Sequence, residues 1–184
     1  MASALLNLAV KTIMGEKKEI KSLVEGQTSL IYVLRRFGCM YCRLDSVNLS
    51  TLKPALDAKN IRMIGICHDD NEANYNEFVK GCFFDGDLFL DPEKNVYKVL
   101  GYGSDGTIKG LLDIKKNISG NFKGDGMQRG GIIILDKDGK EIYKFEQVKA
   151  GDSPKIQEII DVLKLDKSLI RDADQWEEWI SEIF

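Results

Sequence analysis

The sequence predicts an α/β fold in which a central mixed β-sheet is flanked by helices. Two apolar runs of strand length, residues 29–35 and 61–67, each precede a segment whose apolar residues have helical spacing. The second run is apolar almost throughout, which is typical of a strand covered on both faces. Residues 131–136 form another apolar run, and residues 136–140 after it are typical of a hairpin turn. Strand–helix units followed by an antiparallel hairpin indicate a mixed sheet.

The remaining elements follow from local signals. An N-terminal hairpin is expected because two short strand candidates flank a turn at residues 15–18. Pro54 interrupts the helix that follows Cys42 and divides it near Ser50. Ser153 and Pro154 are expected at the N-cap and first position of the closing helix. The predicted strands are residues 5–14 (or an amphipathic segment), 19–23, 29–35, 61–67, 87–90, 131–136 and 141–148, and the predicted helices are residues 42–59, 74–84, 93–100 and one from Ser153.

The order of these elements is that of a thioredoxin-like fold: a β-α-β-α-β run, a long glycine-rich connection at residues 101–126, then a hairpin and a closing helix. We assign residues 1–165 to this domain and residues 166–184 to an acidic amphipathic C-terminal helical extension. The extension either folds back onto its own domain or docks onto a partner, because its apolar side chains share one helical face. These side chains are Trp176, Trp179, Ile180 and Ile183.

Composition and charge exclude several functions. The chain has 184 residues, with 26 Lys and Arg against 29 Asp and Glu, which gives a net charge of −3. No basic stripe neutralises a phosphate backbone, so we expect no nucleic-acid partner. No apolar run reaches membrane-spanning length, and the first ten residues lack the pattern of a signal peptide. Because four cysteines occur in a chain that needs no disulfide staples, we expect a reducing, cytoplasmic location.

The most informative motif is Cys39-Met40-Tyr41-Cys42, which lies between a predicted strand and a predicted helix. Cys39 is expected at the helix N-terminus, where free backbone N–H groups and the helix dipole favour a thiolate. Arg35, Arg36 or a cation from a distant segment would lower the thiol pKa further. The motif therefore indicates redox chemistry, in which one sulfur is oxidised and its neighbour resolves it as a disulfide.

Two alternatives to redox chemistry remain for this motif. Purely structural cysteines are seldom placed in such a strand-to-helix context. Half of a zinc site would need Cys67, His68 or Cys82 as further ligands, but the second closely spaced cysteine pair of the usual signature is missing. We therefore favour a redox-active pair with no metal. Cys67 and Cys82 are then expected to be buried small apolar groups, and His68 a strand-end residue.

The segment around the motif resembles the active-site segment of the peroxiredoxin-like 2 family, which belongs to the thioredoxin-fold superclass. This segment is Leu34-Arg35-Arg36-Phe37-Gly38-Cys39-Met40-Tyr41-Cys42-Arg43. Other segments are similar to the family too, and together the resemblance covers about residues 5–165, more than one motif gives by chance. They are Gly15-Glu16, Ile20-Lys21-Ser22-Leu23, and residues 83–91, 120–125 and 128–131.

The resemblance implies a thiol-dependent oxidoreductase that reduces an O–O bond. In the synthase branch of the family, the substrate is the endoperoxide of prostaglandin H2 or of its ethanolamide, prostamide H2, which is opened to an F-type diol. Other members resemble general redox regulators without a settled substrate. Electrons would come from NADPH through thioredoxin, so no cofactor is expected to be bound. A general thioredoxin-type disulfide oxidoreductase and a redox-sensing regulatory protein remain as alternatives.

Three residues are expected to act in this chemistry: Cys39, Cys42 and Arg129. In thioredoxins the first cysteine of the motif attacks, which corresponds to Cys39 here. Alignment with peroxiredoxins instead places the attacking cysteine at Cys42. We favour Cys39 because it lies closer to the helix N-terminus. Thioredoxins carry a cis-proline before the strand that faces the dithiol, but this sequence has no proline at that position. Instead, Arg129-Gly130 is similar to the peroxiredoxin segment that brings an arginine to the attacking cysteine. The alternative for Arg129 is a surface salt bridge.

Overall fold

A computed structural model describes residues 2–104, 118–121, 125–149 and 151–178. These ranges hold strands and helices in the alternating order that the sequence predicts. The strands are β1 (Ala9–Lys11), β2 (Lys17–Glu19), β3 (Ser29–Leu34), β4 (Arg62–Cys67), β5 (Asp87–Leu90), β6 (Gly131–Leu135) and β7 (Glu141–Glu146). The helices are α1 (Ala2–Leu6), α2 (Ile20–Val24), α3 (Met40–Ser50), α4 (Lys53–Ala58), α5 (Glu72–Lys80), α6 (Asn95–Leu100) and α7 (Ile156–Leu163).

The strands form one mixed sheet in the order β2-β1-β5-β4-β3-β6-β7. The centre of the sheet is parallel, since β4 pairs with both β3 and β5 in the parallel sense. The edges are antiparallel: β6 pairs with β3 and β7 with β6 on one side, and β1 pairs with β5 and β2 on the other. The mixed sheet and the N-terminal hairpin predicted from the sequence are therefore confirmed.

The sheet is covered by apolar side chains on both faces. Successive residues of a strand point to opposite faces, and every residue of β3 is buried. Tyr32 and Leu34 contribute to the core beneath α3, α4, α5 and α7, whereas Ile31 and Val33 contribute to the core beneath α1, α2 and α6. Because β3 is packed on both faces, its carboxyl end is held rigidly in the sheet, and the dithiol segment begins directly after it.

The N-terminal hairpin is shorter than the sequence predicts. Residues 19–23 were expected as its second strand, but β2 ends at Glu19 and a helix, α2, begins at Ile20. The strand assignment was wrong because Ile20, Leu23 and Val24 have the i, i+3, i+4 spacing of a helix. All three are buried on one face of α2.

The helical segment after the dithiol divides where the sequence predicts. Helix α3 ends at Ser50, and Pro54 lies in the first turn of α4, where its missing N–H costs no hydrogen bond. The predicted helix over residues 74–84 is shifted, since α5 spans Glu72–Lys80. Cys82 then has a left-handed backbone conformation, φ 49°, which ends the helical run. Across the part of the chain that the structure describes, no helix is long and apolar enough to cross a bilayer.

The closing helix begins later than the sequence predicts. Ser153 and Pro154 were expected at its N-cap and first position, but α7 begins at Ile156 with Lys155 as the N-cap. Ser153 lies two residues before the N-cap, so its hydroxyl does not cap the helix; it is instead one of the groups that act to lower the pKa of the buried Asp45 carboxyl of α3. The apolar stripe of α7 is as predicted, with Ile159, Ile160 and Leu163 buried against the sheet.

The described part of the C-terminal extension lies against the domain. Arg171 forms an ion pair with Asp85 at 2.8 Å, and its backbone N–H donates to the Thr51 carbonyl oxygen at 3.0 Å. The Trp176 ring stacks on Phe83, with 5.8 Å between ring centroids. Short 3₁₀ turns at Lys167–Leu169 and Ala173–Gln175 form this segment. Trp179, Ile180 and Ile183, on which the helical-face prediction also rests, lie outside the described residues.

Candidate active site

The two cysteines of the motif lie at the N-terminus of α3. Cys39 is the N-cap residue, with extended backbone angles, and Cys42 lies in the first helical turn. Both are free thiols. Both residues are buried, Cys39 with 5% of its surface exposed and Cys42 with 0%. The predicted placement of the dithiol at a strand-to-helix junction is therefore confirmed.

The surroundings of Cys39 favour its thiolate. The pKa of Cys39 is lowered to about 6. The largest cause of this lowering is the hydrogen bond from the Cys42 thiol, which outweighs the opposing effect of burial. The Cys42 backbone N–H and the positive charges of Arg35 and Arg36 lower the pKa further. All of these groups act on the ionised form, because hydrogen bonds and cations stabilise a negative sulfur more than a neutral thiol.

The surroundings of Cys42 favour its neutral thiol. Burial raises its pKa well above the ordinary value, and the interaction with Cys39 raises it further. The Tyr32 hydroxyl, from β3, donates to the Cys42 carbonyl oxygen at 3.5 Å. The two sulfurs therefore differ in charge at neutral pH, since Cys39 is a thiolate and Cys42 is a neutral thiol.

We expect the alkylation rate of the reduced protein to follow the Cys39 thiolate. With a pKa of about 6, the iodoacetamide rate rises with pH and is half-maximal near pH 6, and mass spectrometry finds the label on Cys39. In Cys42→Ala the midpoint moves to higher pH, because the hydrogen bond from the Cys42 thiol is gone. A midpoint near 8.5 in the reduced wild type, the value of an ordinary cysteine, would contradict this description.

Arg35 and Arg36 hold the dithiol segment against two distant loops. The Arg35 Nε donates to the Gln128 carbonyl oxygen at 3.0 Å, and a second Arg35 nitrogen donates to the Gly126 carbonyl oxygen. The Arg36 guanidinium donates to the Asn121 carbonyl oxygen. Both side chains are buried. The arginines therefore have two roles, since they fix the loops beside Cys39 and place positive charge near its sulfur.

Arg43 contacts the dithiol segment from the protein interior. The sequence analysis did not identify it as a site residue. Its side chain is 1% exposed. Its Nε donates to the Phe37 carbonyl oxygen at 3.0 Å, and one terminal nitrogen reaches the Ser119 carbonyl oxygen at 2.7 Å and the Glu77 carboxylate at 2.9 Å. The guanidinium also lies over the Phe83 ring, 5.0 Å from its centroid. Arg43 therefore joins the dithiol segment, α5 and the loop at residues 118–121.

Arg129 lies in the segment before β6. Its guanidinium forms an ion pair with Glu146 at 2.7 Å, so the ion pair weighed as the alternative is present. The next residue must be glycine, because a Cβ at Gly130 would lie 2.2 Å from the Val33 carbonyl oxygen. The cations that lower the Cys39 pKa are Arg35 and Arg36. The catalytic role of Arg129 stays a prediction.

Among the described residues, Cys67, Cys82 and His68 belong to no group of side chains that could bind a metal ion. Within residues 2–104, 118–121, 125–149 and 151–178, no three His, Cys, Asp or Glu side chains are grouped to hold a metal ion. Cys67 is buried and burial raises its pKa, as expected of a structural thiol. Cys82 is partly exposed, so its predicted burial was wrong, because α5 ends at Lys80 and Cys82 lies in the turn after it. His68 is a strand-end residue, and burial followed by the Lys94 charge lowers its pKa.

Asp45 is the most unusual group near the dithiol and the sequence analysis missed it. It lies on α3, three residues after Cys42, and is 1% exposed. Burial raises its pKa to about 8, and the nearby Cys39 charge adds to this, whereas the hydrogen bond from Ser153 and the charge of Arg35 oppose it. The i, i+3 spacing from Cys42 was the available signal, since it places both side chains on one face of the helix.

Comparisons with known proteins find related sequences over most of the chain. A family model described as AhpC/TSA antioxidant enzyme matches residues 48–149, a range that begins after the dithiol. A Xenopus tropicalis protein named prostamide/prostaglandin F synthase is 35% identical over 170 residues, covering 85% of this chain and 84% of that protein. The Homo sapiens protein of the same name is 32% identical over 165 residues, covering 82% of each chain.

Solved structures share the fold at low sequence identity. A Xanthomonas campestris peroxiredoxin Q variant superposes with a TM-score of 0.62 at 14% identity, covering 88% of this chain and 90% of that chain. This likeness confirms the thioredoxin-like arrangement of the sheet and helices.

Proposed function

Since this chain belongs to the AhpC/TSA antioxidant enzyme family, in the peroxiredoxin-like 2 branch that includes the prostamide/prostaglandin F synthases, we propose that it reduces an O–O bond through Cys39 and Cys42. The substrate class is a peroxide, and the endoperoxide of prostaglandin H2 or prostamide H2 is the substrate that the names of its relatives favour. In its broader form, the proposal is that the protein reduces peroxides other than these endoperoxides. The chain is then an oxidoreductase.

The observation that carries the proposal is the unequal state of the two thiols. Cys39 has a pKa of about 6, whereas Cys42 is fully buried and burial raises its pKa. A thiolate is the nucleophile in sulfur chemistry, and a neutral thiol is not. The difference supports a mechanism in which Cys39 attacks the peroxide and Cys42 acts in the second step.

In the first step, the Cys39 thiolate attacks one oxygen of the peroxide. A sulfur–oxygen bond forms, the O–O bond breaks, and the second oxygen departs as an alkoxide that takes a proton from solvent. The positive charges of Arg35 and Arg36, which act on Cys39 in the resting state, remain to stabilise the negative oxygen as it develops. For an endoperoxide, both oxygens stay on one molecule.

In the second step, the Cys42 sulfur attacks the Cys39 sulfur. A disulfide bond forms, the sulfur–oxygen bond breaks, and the oxygen leaves as an alcohol with the proton that Cys42 gives up. The peroxide gains two electrons and the dithiol loses two, so the products of an endoperoxide are two hydroxyl groups and one disulfide. Cys42 lies in the first turn of the helix that Cys39 caps, so this step needs no large movement of the chain.

A dithiol protein partner completes the cycle. Thioredoxin, reduced with electrons from NADPH, would return the Cys39–Cys42 disulfide to two thiols by exchange. The enzyme itself then needs no bound cofactor and no metal. The proposal places the protein in the cytoplasm, where such reductants keep thiols reduced.

Arg129 has a smaller part in the proposal than the two cysteines. Its guanidinium is paired with Glu146 at 2.7 Å, which neutralises much of its charge. The ion pair occupies one of the guanidinium nitrogens, and the role of Arg129 on the substrate stays a prediction. Arg35 and Arg36 are the better candidates for stabilising the departing oxygen, because their charges already act on the Cys39 sulfur.

A coupled assay tests the function. The purified protein is incubated with NADPH, thioredoxin and thioredoxin reductase, and NADPH oxidation is followed with prostaglandin H2, hydrogen peroxide or a lipid hydroperoxide as the oxidant. We expect turnover of at least one peroxide, with the endoperoxide fastest. Reduction of insulin disulfides with no peroxide turnover would contradict the proposal and favour a general disulfide oxidoreductase. No turnover of either class would favour a redox-sensing regulator.

A further inference from the structure

The loop at residues 118–121 lies directly on the backbone that carries Cys39. The Asn121 backbone N–H donates to the Gly38 carbonyl oxygen at 2.7 Å. A Cβ atom placed on Gly120 would lie 2.8 Å from the Met40 backbone nitrogen and 2.9 Å from the Gly38 carbonyl oxygen. Gly38 and Met40 are the chain neighbours of Cys39. The loop therefore contacts the backbone immediately before and immediately after this cysteine.

This close approach needs a glycine on each of the two segments. A Cβ atom on Gly38 would lie 2.3 Å from the Asn121 Oδ1, far inside the van der Waals distance. A Cβ atom on Gly120 would meet backbone atoms, which cannot rotate away as the end of a flexible side chain can. Because β3 and α3 hold the dithiol segment at both ends, a larger residue at position 120 would displace the loop rather than this segment.

Contacts from the core and from two arginines hold the loop in this position. The Ile118 side chain is buried and packs in the core beneath α3, α4, α5 and α7. Arg43 donates to the Ser119 carbonyl oxygen at 2.7 Å, and Arg36 donates to the Asn121 carbonyl oxygen. The loop is therefore fixed by one buried side chain and by two buried arginines of the dithiol segment.

Helix α5 adds a side-chain contact to the loop. The Asn121 Nδ2 donates to the Asn74 Oδ1 at 3.3 Å and to the Glu77 carboxylate at 3.4 Å. Asn74 is itself buried, and its Nδ2 donates to the Asp69 carboxylate at 2.9 Å. Since the Asp69 contact fixes the orientation of the Asn74 amide group, the Asn74 oxygen faces the loop. The Asn121 amide group therefore strengthens the attachment of the loop from the side of α5.

The loop lies on the solvent side of the dithiol segment. Ser119 and Gly120 are exposed, whereas Gly38 and Cys39 are buried. In exchange with a protein disulfide, the attacking sulfur must line up with the sulfur that it attacks. The polypeptide that carries this sulfur then needs room along the backbone of the attacking cysteine. The loop occupies that room, and its N–H already uses the Gly38 carbonyl oxygen.

We propose that the loop at residues 118–121 determines which reactants reach Cys39, and that Gly120 is its specificity-determining residue. With the loop in place, a peroxide of small-molecule size reaches the thiolate but a protein disulfide does not. A protein reductant that regenerates the Cys39–Cys42 disulfide must displace the loop from Gly38 and Met40. The inference rests on the role of Cys39 proposed above. The loop thereby favours peroxide reduction over general protein disulfide exchange.

Protein disulfide reduction by Gly120→Ala tests the inference without any peroxide. Reduction of insulin is followed by turbidity, with dithiothreitol as the electron donor and its own rate subtracted. We expect Gly120→Ala to reduce insulin about tenfold faster than wild type or more, because the added Cβ breaks the hydrogen bond that holds the loop on Gly38. The iodoacetamide rate of Cys39 is measured near pH 9, where a thiol with a pKa of about 6 is fully ionised. This rate should stay within about twofold of wild type, since a small reagent needs no displacement of the loop.

Two further variants separate the position of the loop from other effects of the substitution. Asn121→Ala removes the side-chain contact with Asn74 and adds no atom against the dithiol segment. It should raise the insulin rate about threefold to tenfold, the effect of one lost hydrogen bond. Ser119→Ala changes an exposed side chain of the same loop and keeps the carbonyl oxygen that Arg43 contacts. The ratio of its insulin rate to its iodoacetamide rate should therefore equal that of wild type. Urea unfolding checks that each variant folds.

Two results would overturn the inference. One is an insulin rate within about twofold of wild type in both Gly120→Ala and Asn121→Ala. The other is an equal rise in the iodoacetamide rate of Cys39, which would mean a more reactive thiolate rather than a wider approach. The failure of the peroxide proposal is distinguishable from either. A protein that turns over no peroxide, but whose insulin rate rises as expected in both variants, would reject the proposed substrate class and support the role of the loop.

Discussion

Replacing Cys39 with serine abolishes reaction with every peroxide, whereas replacing Cys42 with serine leaves a single turnover intact. The reason is that the two sulfurs have different roles: Cys39 is held as a thiolate, whereas burial keeps Cys42 a neutral thiol. Cys42→Ser retains a sulfur that attacks but lacks the sulfur that resolves. In the coupled assay both variants lose NADPH oxidation, by about the thousandfold or more typical of a removed nucleophile. In a single-turnover experiment with excess enzyme, only Cys42→Ser consumes peroxide.

Cys82→Ser is the matched control for this experiment. It also exchanges one sulfur for oxygen, but at a partly exposed thiol that follows α5. Its steady-state rate should equal that of wild type. Peroxide consumption by Cys39→Ser together with none by Cys42→Ser would reverse the roles and make Cys42 the attacking thiol, as the peroxiredoxin pattern has it.

Replacing Arg43 with methionine lowers the free energy of unfolding by about 2–6 kcal/mol, since it leaves two carbonyl oxygens without their donor at about 1–3 kcal/mol each. These oxygens belong to Phe37 and Ser119, which Arg43 contacts at 3.0 and 2.7 Å. Methionine retains most of the side-chain volume, so the loss reports the hydrogen bonds rather than a cavity. Urea unfolding followed by far-ultraviolet circular dichroism measures the change.

Glu77→Gln separates the carbonyl contacts of Arg43 from its ion pair. The Glu77 side chain is 51% exposed, so water screens its interaction with the guanidinium. Its removal should cost no more than about 1 kcal/mol, the usual range for exposed ion pairs. Equal losses in the two variants would show that the ion pair, and not the hydrogen bonds to the dithiol segment and its neighbouring loop, is what Arg43 contributes.

The fold was largely predictable because its signals are local. Apolar runs of strand length located β3, β4 and β6, and Pro54 located the division between α3 and α4. The error at residues 19–23 was a misread local pattern, because Ile20, Leu23 and Val24 have the spacing of a helix. Ser153 has the residue type of an N-cap, but its side chain lies near the distant Asp45 carboxyl and α7 begins only at Ile156.

The candidate site was predictable in part for the same reason. Cys39, Cys42 and the adjacent Arg35 and Arg36 lie within eight residues, so their proximity is fixed by the chain itself. Arg43 and Asp45 look like ordinary polar helix residues, which are mostly exposed. Their burial depends on α5, the loop at residues 118–121 and the segment after β7, which come together only in the folded protein. A polar residue at i+3 from a buried cysteine is the one local sign that pointed to Asp45.

The central claim is that Cys39 is the sulfur that attacks oxygen, and the position of the oxygen after one turnover tests it directly. Cys42→Ser, fully reduced, is mixed with one equivalent of hydrogen peroxide, trapped with a reagent specific for sulfenic acid, digested and analysed by mass spectrometry. We expect one trapped adduct per chain, on Cys39. An adduct on Cys67 or Cys82, or a fully reduced protein after the peroxide has had time to react, would contradict the account.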